Sequence, residues 1–194
     1  MPIERSAERD RAIRAALPHV PALGWTRAAL RAGLRHAGED PESEAWLFPT
    51  GPIGAVEAWL DLADRQMEAA AGQEDLATFR TPGRIRRLIL LRLEQAAPHK
   101  DAVRRALAQL ALPWNLAVGA RGAARTASAI WHAAGDRSAD FSWYTRRATL
   151  GAVYGATLAF WLQDDDPGMA ATAAFLDRRL AGLARLSRPR RPAA

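Results

Sequence analysis

Apolar residues recur at three- and four-residue steps along most of this chain, and no stretch alternates with the period of two that a half-buried strand requires. The pattern predicts an all-α protein. Residues 4 to 17 form a first helix, stopped by Pro18 and Pro21. Thr26 caps a second, with Leu30, Leu34 and Ala37 on one face and Gly38 after it. Asp40-Pro41-Glu42 supplies a cap, a proline at the first helical position and an early acid, and starts a short third helix through Trp46, Leu47 and Phe48 that Pro49 ends. The fourth helix is the most clearly amphipathic, carrying Ile53, Val56, Leu60, Ala63, Met67 and Ala70 on its core face.

Thr81-Pro82 repeats the cap-plus-proline device before Ile85, Leu88, Ile89, Leu91 and Leu93, whose polar flank carries Arg84, Arg86, Arg87 and Arg92. Pro98 breaks that helix, another follows through Val103, Leu107 and Leu110, and Pro113 opens a longer segment to Ala134. From Ala148 to Gln163 sixteen residues pass without a charge, with large apolar side chains all round the helix, which predicts a central buried helix. It falls short of the ~20 residues needed to cross a bilayer, and Asp164-Asp165-Asp166 closes it. Gly151 and Gly155, one turn apart, either permit close helix packing or leave room for a ligand. The last helix, 168 to 187, sets Met169, Thr172, Phe175, Leu176, Leu180, Leu183 and Leu186 against Asp177, Arg178, Arg185 and Arg188. That pattern suits an interfacial membrane helix and equally a terminal helix docked on its own core with a solvated back.

Composition narrows the function. With no cysteine the chain has no disulfide, thiolate metal site or thiol nucleophile, which fits a reducing compartment. The first ten residues have neither an apolar signal core nor the acid-poor composition of a transit peptide, so a cytoplasmic bacterial-type chain is expected. The net charge of +6 is concentrated at the end: residues 176 to 194 hold six Arg against Asp177. A basic tail points to a polyanionic surface such as anionic lipid or nucleic acid. Lys100 is the only lysine, so part of the arginine richness reflects overall compositional bias.

Residues 135 to 147, reading Gly-Asp-Arg-Ser-Ala-Asp-Phe-Ser-Trp-Tyr-Thr-Arg-Arg, form the most informative stretch. Gly135 suits a helix end needing positive φ, and Ser138 can cap the next helix. On that helix Asp140, Trp143, Tyr144 and Arg147 share a narrow arc, a charged pair around two large rings of the kind that anchors interfaces. No Gly-rich phosphate loop, Gly-x-Ser-x-Gly elbow or His-Glu-x-x-His occurs, and the four histidines are scattered, so a nonenzymatic role without a cofactor is expected. Three short helices before a long helical body evoke a helix-turn-helix repressor. The third, however, has three acids and no Lys or Arg between Asp40 and Phe48, which phosphates would repel.

Ala134-Gly135-Asp136, Ser138, Asp140-Phe141, Trp143-Tyr144-Thr145-Arg146-Arg147, Leu150, Val153-Tyr154 and Phe175-Leu176-Asp177-Arg178-Arg179 resemble the COQ-nine family of ubiquinone biosynthesis. Upstream, Gly24-Trp25-Thr26-Arg27-Ala28-Ala29-Leu30, Leu47-Phe48-Pro49 and Ala63-Asp64-Arg65-Gln66-Met67 are similar to its bacterial members. Ala139 and Ser142 stand where Thr and Asn are often seen.

The resemblance implies a TetR-like bundle of about nine to ten helices with a degenerate N-terminal helix-turn-helix and a C-terminal amphipathic helix. Its regions would be 1–72, resembling the helix-turn-helix part; 73–167 with parts of the fourth helix, a lipid-binding body; and 168–194, a basic amphipathic helix and tail. It implies a homodimer without nucleic acid, peripheral on the cytoplasmic face of the inner membrane. The protein would bind membrane lipid and isoprenoid quinone intermediates and present them to the demethoxyubiquinone hydroxylase. Carried over by motif, hydroxylase docking falls on Ile130, Trp131, Asp140, Trp143, Tyr144 and Arg147, and membrane binding on Phe175, Leu176, Arg179, Leu180, Leu183 and Arg185. Lipid-lining candidates, from apolar character alone, are Trp59, Leu88, Leu116, Val153, Leu158 and Trp161, each of which ordinary core packing explains as well. The alternative function is a TetR-type transcription regulator with a small-molecule pocket.

Overall fold

A computed structural model describes residues 4–135 and 142–186, with side chains omitted at 142–144 and 183–186. Among the described residues there is no strand, and ten α-helices follow one another: α1 (Ala7–Ala16), α2 (Val20–Leu23), α3 (Arg27–His36), α4 (Glu44–Leu47), α5 (Pro52–Ala71), α6 (Thr81–Ala96), α7 (Lys100–Leu110), α8 (Leu116–Ala133), α9 (Ser142–Trp161) and α10 (Ala170–Leu186). The caps explain most of the starts. Ser6 accepts from the Arg9 amide, Thr26 from Ala29, and Asp40 from Glu42 just before Pro41 opens a short 3₁₀ turn into α4. Thr81 is a correction: it is the first residue of α6, and Arg80, which makes no side-chain cap bond, precedes it. Pro18 and Pro21 also do not end the helical path, because each sits in the first turn of a new short helix, where the missing amide costs nothing.

One hydrophobic cluster runs from Ala12 on α1 to Leu176 on α10. Helix α1 packs on α3, α5 on α6 and α8, α8 on α9, and α10 on α9 and α6. The crossing of α1 and α3 is close enough to require glycine, since a Cβ on Gly33 would stand 2.6 Å from the Ala16 backbone nitrogen. Trp25 joins the N-terminal helices to the body: its buried indole nitrogen donates to the Ala102 carbonyl at 2.9 Å, and its ring packs 5.1 Å from that of Trp59.

Helix α9 departs from the expectation of burial on all sides. Leu150, Val153, Tyr154, Thr157 and Trp161 face inward, whereas Ala148, Ala152, Gly155 and Ala159 are exposed. Small apolar residues make a helix uncharged all round without requiring that a neighbour cover every face.

Candidate lipid site and docking surfaces

The core encloses a charged network where α5, α6 and α8 meet. Arg92 Nε donates to Asp64 Oδ1 at 3.0 Å, and Thr126 Oγ1 donates to the same carboxylate at 3.0 Å. Arg92 is only 5% exposed, so its placement on the polar flank of α6 is corrected. It lies one turn beyond Leu88, on the buried side. Burial pushes the Asp64 carboxyl up against the opposing pull of Arg92 and Thr126, and it raises the Tyr154 phenol on α9, which stays neutral. Burial also opposes the charge on Arg92, but the neighbouring Asp64, through its charge and its hydrogen bond, holds that guanidinium protonated.

Beside this network Trp59, Leu60, Val103, Leu107, Tyr154 and Leu158 surround an apolar cavity of about 30 Å³. Two of the sequence candidates, Trp59 and Leu158, line it together. Val153 and Trp161 are buried on the same helix as Leu158, and Leu88 is fully buried in α6. Leu116 lies apart: it begins α8 and is 56% exposed, near the exposed Leu112 and Trp114. Tyr154, Leu60, Val103 and Leu107 were missed as lining residues, because pocket and core draw on the same apolar side chains.

The docking candidates divide. Ile130 is fully buried and packs in the core, so its contribution to any surface is through position rather than contact. Trp131 is half-buried, its indole nitrogen donating to the Arg146 carbonyl at 3.3 Å and so tying α8 to α9. Asp140 lies outside the described residues, as do the side chains of Trp143 and Tyr144, whose backbone forms the first turn of α9. Gly135 has the positive φ expected of it, 86°. Arg147 joins Ala120, Ala124, Ser128, Gly151 and Ala152 in lining a groove of about 500 Å³ between α8 and α9.

Helix α10 is held against the body over its first turns. Leu176 is fully buried, so in this conformation it meets the core and not a membrane. Phe175 is half-buried and stacks on Phe160 at 4.6 Å, with the Arg179 guanidinium 4.7 Å from its ring, and Arg86 Nε reaches Asp177 at 2.6 Å. Leu180 is half-buried, and the side chains of Leu183 and Arg185 lie outside the described residues. Among the described residues no helix is long and apolar enough to cross a membrane, and no three acidic or histidine residues cluster to hold a metal.

Residues 116–187, spanning α8, α9 and α10, match the COQ9 family. Over 165 residues the chain is 33% identical to the mitochondrial ubiquinone biosynthesis protein coq9 of Schizosaccharomyces pombe, which covers 85% of this chain and 65% of that one. The chain is a COQ9 relative. It is 32% identical over 183 residues to the Drosophila melanogaster COQ9 protein, covering 90% of this chain and 54% of that one. With Homo sapiens COQ9 it shares 30% over 176 residues, 88% of this chain and 55% of that one. It thus spans about half to two thirds of the length of these COQ9 proteins. The crystal structure of a TetR transcriptional regulator from Nitrosomonas europaea superposes with a TM-score of 0.73 at 20% identity, covering 93% of this chain and 99% of that one. The fold of this COQ9 relative is therefore TetR-like.

Proposed function

We propose that this chain acts in ubiquinone biosynthesis as a nonenzymatic lipid-binding protein, taking an isoprenoid quinone intermediate from the cytoplasmic face of the inner membrane and presenting it to the demethoxyubiquinone hydroxylase. The observation that carries the reading is an apolar cavity at Trp59, Tyr154 and Leu158 in a chain related over most of its length to proteins named for ubiquinone biosynthesis. A polyprenyl tail needs such shelter, because at ~25 cal/mol per Å² its exposure to water is prohibitive. The cavity holds about one water as it stands, 30 Å³, so Leu60, Leu107 and Leu158 must give way to admit a tail. In this reading α10 meets the membrane, the surface around Trp131 and Arg147 meets the hydroxylase, and two copies form the homodimer.

The regulator reading is disfavoured by charge. Glu44 on α4 is fully buried and takes Arg27 at 3.0 Å and Arg31 at 3.6 Å, while Glu42 takes Arg31 at 3.0 Å, so two of the α3 arginines that phosphates would need are already paired. Flotation away from quinone-loaded liposomes tests the function: isoprenoid should travel with the protein, and a cavity-filling Leu158→Trp should abolish that transfer. Wild-type protein recovered free of isoprenoid would defeat the reading.

A further inference from the structure

The turn between α7 and α8 presents Leu112, Trp114 and Leu116 to solvent, and Trp114, at 75%, is the most exposed large apolar side chain among the described residues. Apolar residues scattered singly over a surface need no explanation, but three on one turn make a patch. Leu23 adds a fourth from α2. It stands between Pro21 and Trp25, whose carbonyls accept from Arg105 at 2.6 Å and Gln109 at 2.7 Å on α7.

The turn is braced from within. Pro113–Asn115 is a 3₁₀ turn, the Asn115 backbone amide donates to the Leu112 carbonyl at 2.8 Å, and Asn115 Nδ2 donates to the Gln109 carbonyl at 2.9 Å. These bonds satisfy polar groups of the turn internally and fix its shape, which lowers the desolvation and ordering costs of entering an apolar phase.

Charge identifies that phase. From 102 to 135 the chain carries four arginines and no acid. Arg105 lies five residues before the end of α7 and Arg121 five after the start of α8, and both are exposed. At ~1.5 Å per residue each stands roughly 8 Å along its helix from the turn, within the ~5–10 Å to which interfacial elements sink. Glu57, 3.8 Å from Arg121, is already taken by Arg125 at 3.0 Å. An indole and leucines ahead of two arginines follow the order in which a bilayer presents its acyl boundary and its phosphates.

We propose that the α7–α8 turn is a membrane anchor, seating Leu112, Trp114 and Leu116 at the acyl boundary of an anionic bilayer with Arg105 and Arg121 at its phosphates. The proposal rests on the membrane attachment proposed above and adds to α10 a second contact. That contact lies on the helix whose Leu107 and Leu110 line the apolar cavity.

Because the chain has no cysteine, Trp114→Cys and Ala181→Cys each give the full chain one site for an environment-sensitive nitrobenzoxadiazole label, the second on the exposed side of α10. The label at 114 should shift to the blue on vesicles of phosphatidylglycerol and phosphatidylcholine and be quenched by spin-labelled lipid in them. Trp114→Ser with Leu116→Ser, at positions outside the core, should weaken binding to those vesicles about tenfold or more with the melting temperature unchanged, since each lost side chain removes the burial of a large apolar group. Quenching at 181 without quenching at 114 overturns the anchor and leaves attachment through α10 standing, whereas quenching at neither position overturns both. A blue shift at 114 that grows with protein concentration in the absence of lipid assigns the turn to a second copy of the chain and overturns the proposal.

Discussion

Arg92 of α6 and Asp64 of α5 stand 3.0 Å apart with both side chains less than a tenth exposed. Such a pair contributes little net stability, because desolvation offsets its attraction, but removing one partner strands a buried charge. Asp64→Asn and Arg92→Met should each cost about 3–5 kcal/mol in denaturant unfolding, while Asp64→Leu combined with Arg92→Met should recover most of the loss. Additive losses in the double variant would show that the pair is not coupled.

Two helical glycines should respond with opposite signs. A Cβ on Gly33 would lie 2.6 Å from the Ala16 backbone nitrogen, so Gly33→Ala must spread α1 from α3 and should cost at least ~1–3 kcal/mol. A Cβ on Gly155 meets nothing within 4 Å, so Gly155→Ala should stabilise the isolated chain by roughly 0.5–1 kcal/mol. Urea midpoints of the two variants decide the comparison.

Much of the fold was legible because its helix starts are written in local chemistry: Thr26 and Asp40 cap as their spacing predicts, and Gly135 turns with positive φ. What failed was non-local. The partner of Arg92 is 28 positions away on another helix, so no window along the chain distinguishes its buried charge from a solvated one. The open side of α9 was misjudged for a related reason, since Ala152 and Gly155 are apolar enough for a core and small enough to face water. At the candidate site Trp59 and Leu158 were found through apolar character, but the same criterion also selected Leu116, whose exposure depends on the turn before α8.

Helix α10 should separate into a docking part and a distal part. Leu176→Glu places a carboxylate at a fully buried position and should unfold the protein or lower its melting temperature sharply. Leu180→Glu with Leu183→Glu, one and two turns later, should reduce liposome co-sedimentation while the fold persists. Loss of the fold in that double variant would mean that α10 docks along its length.

Acid titration has a signed expectation. Burial tends to raise the Asp61 carboxyl, but hydrogen bonds and attraction from Arg5 and Arg65 prevail and hold it below its ordinary 3.8. A carboxyl depressed in the folded state gives stability that is present above the unfolded value and lost as pH falls through the folded one. Asp61→Asn should therefore flatten the loss of stability below about pH 4. Asp64, raised by burial, has the opposite sign: its protonation begins above 3.8 in the folded state and favours folding as the pH drops toward that value. Melting temperatures of the two Asn variants across pH 3–6 check both signs.

Mass spectrometry of lipids that co-purify with the folded chain from its own membranes tests the central claim most directly. An isoprenoid quinone precursor should be recovered with the wild type and be depleted in Leu158→Trp. Recovery of no isoprenoid from either those membranes or quinone-loaded liposomes would contradict the account.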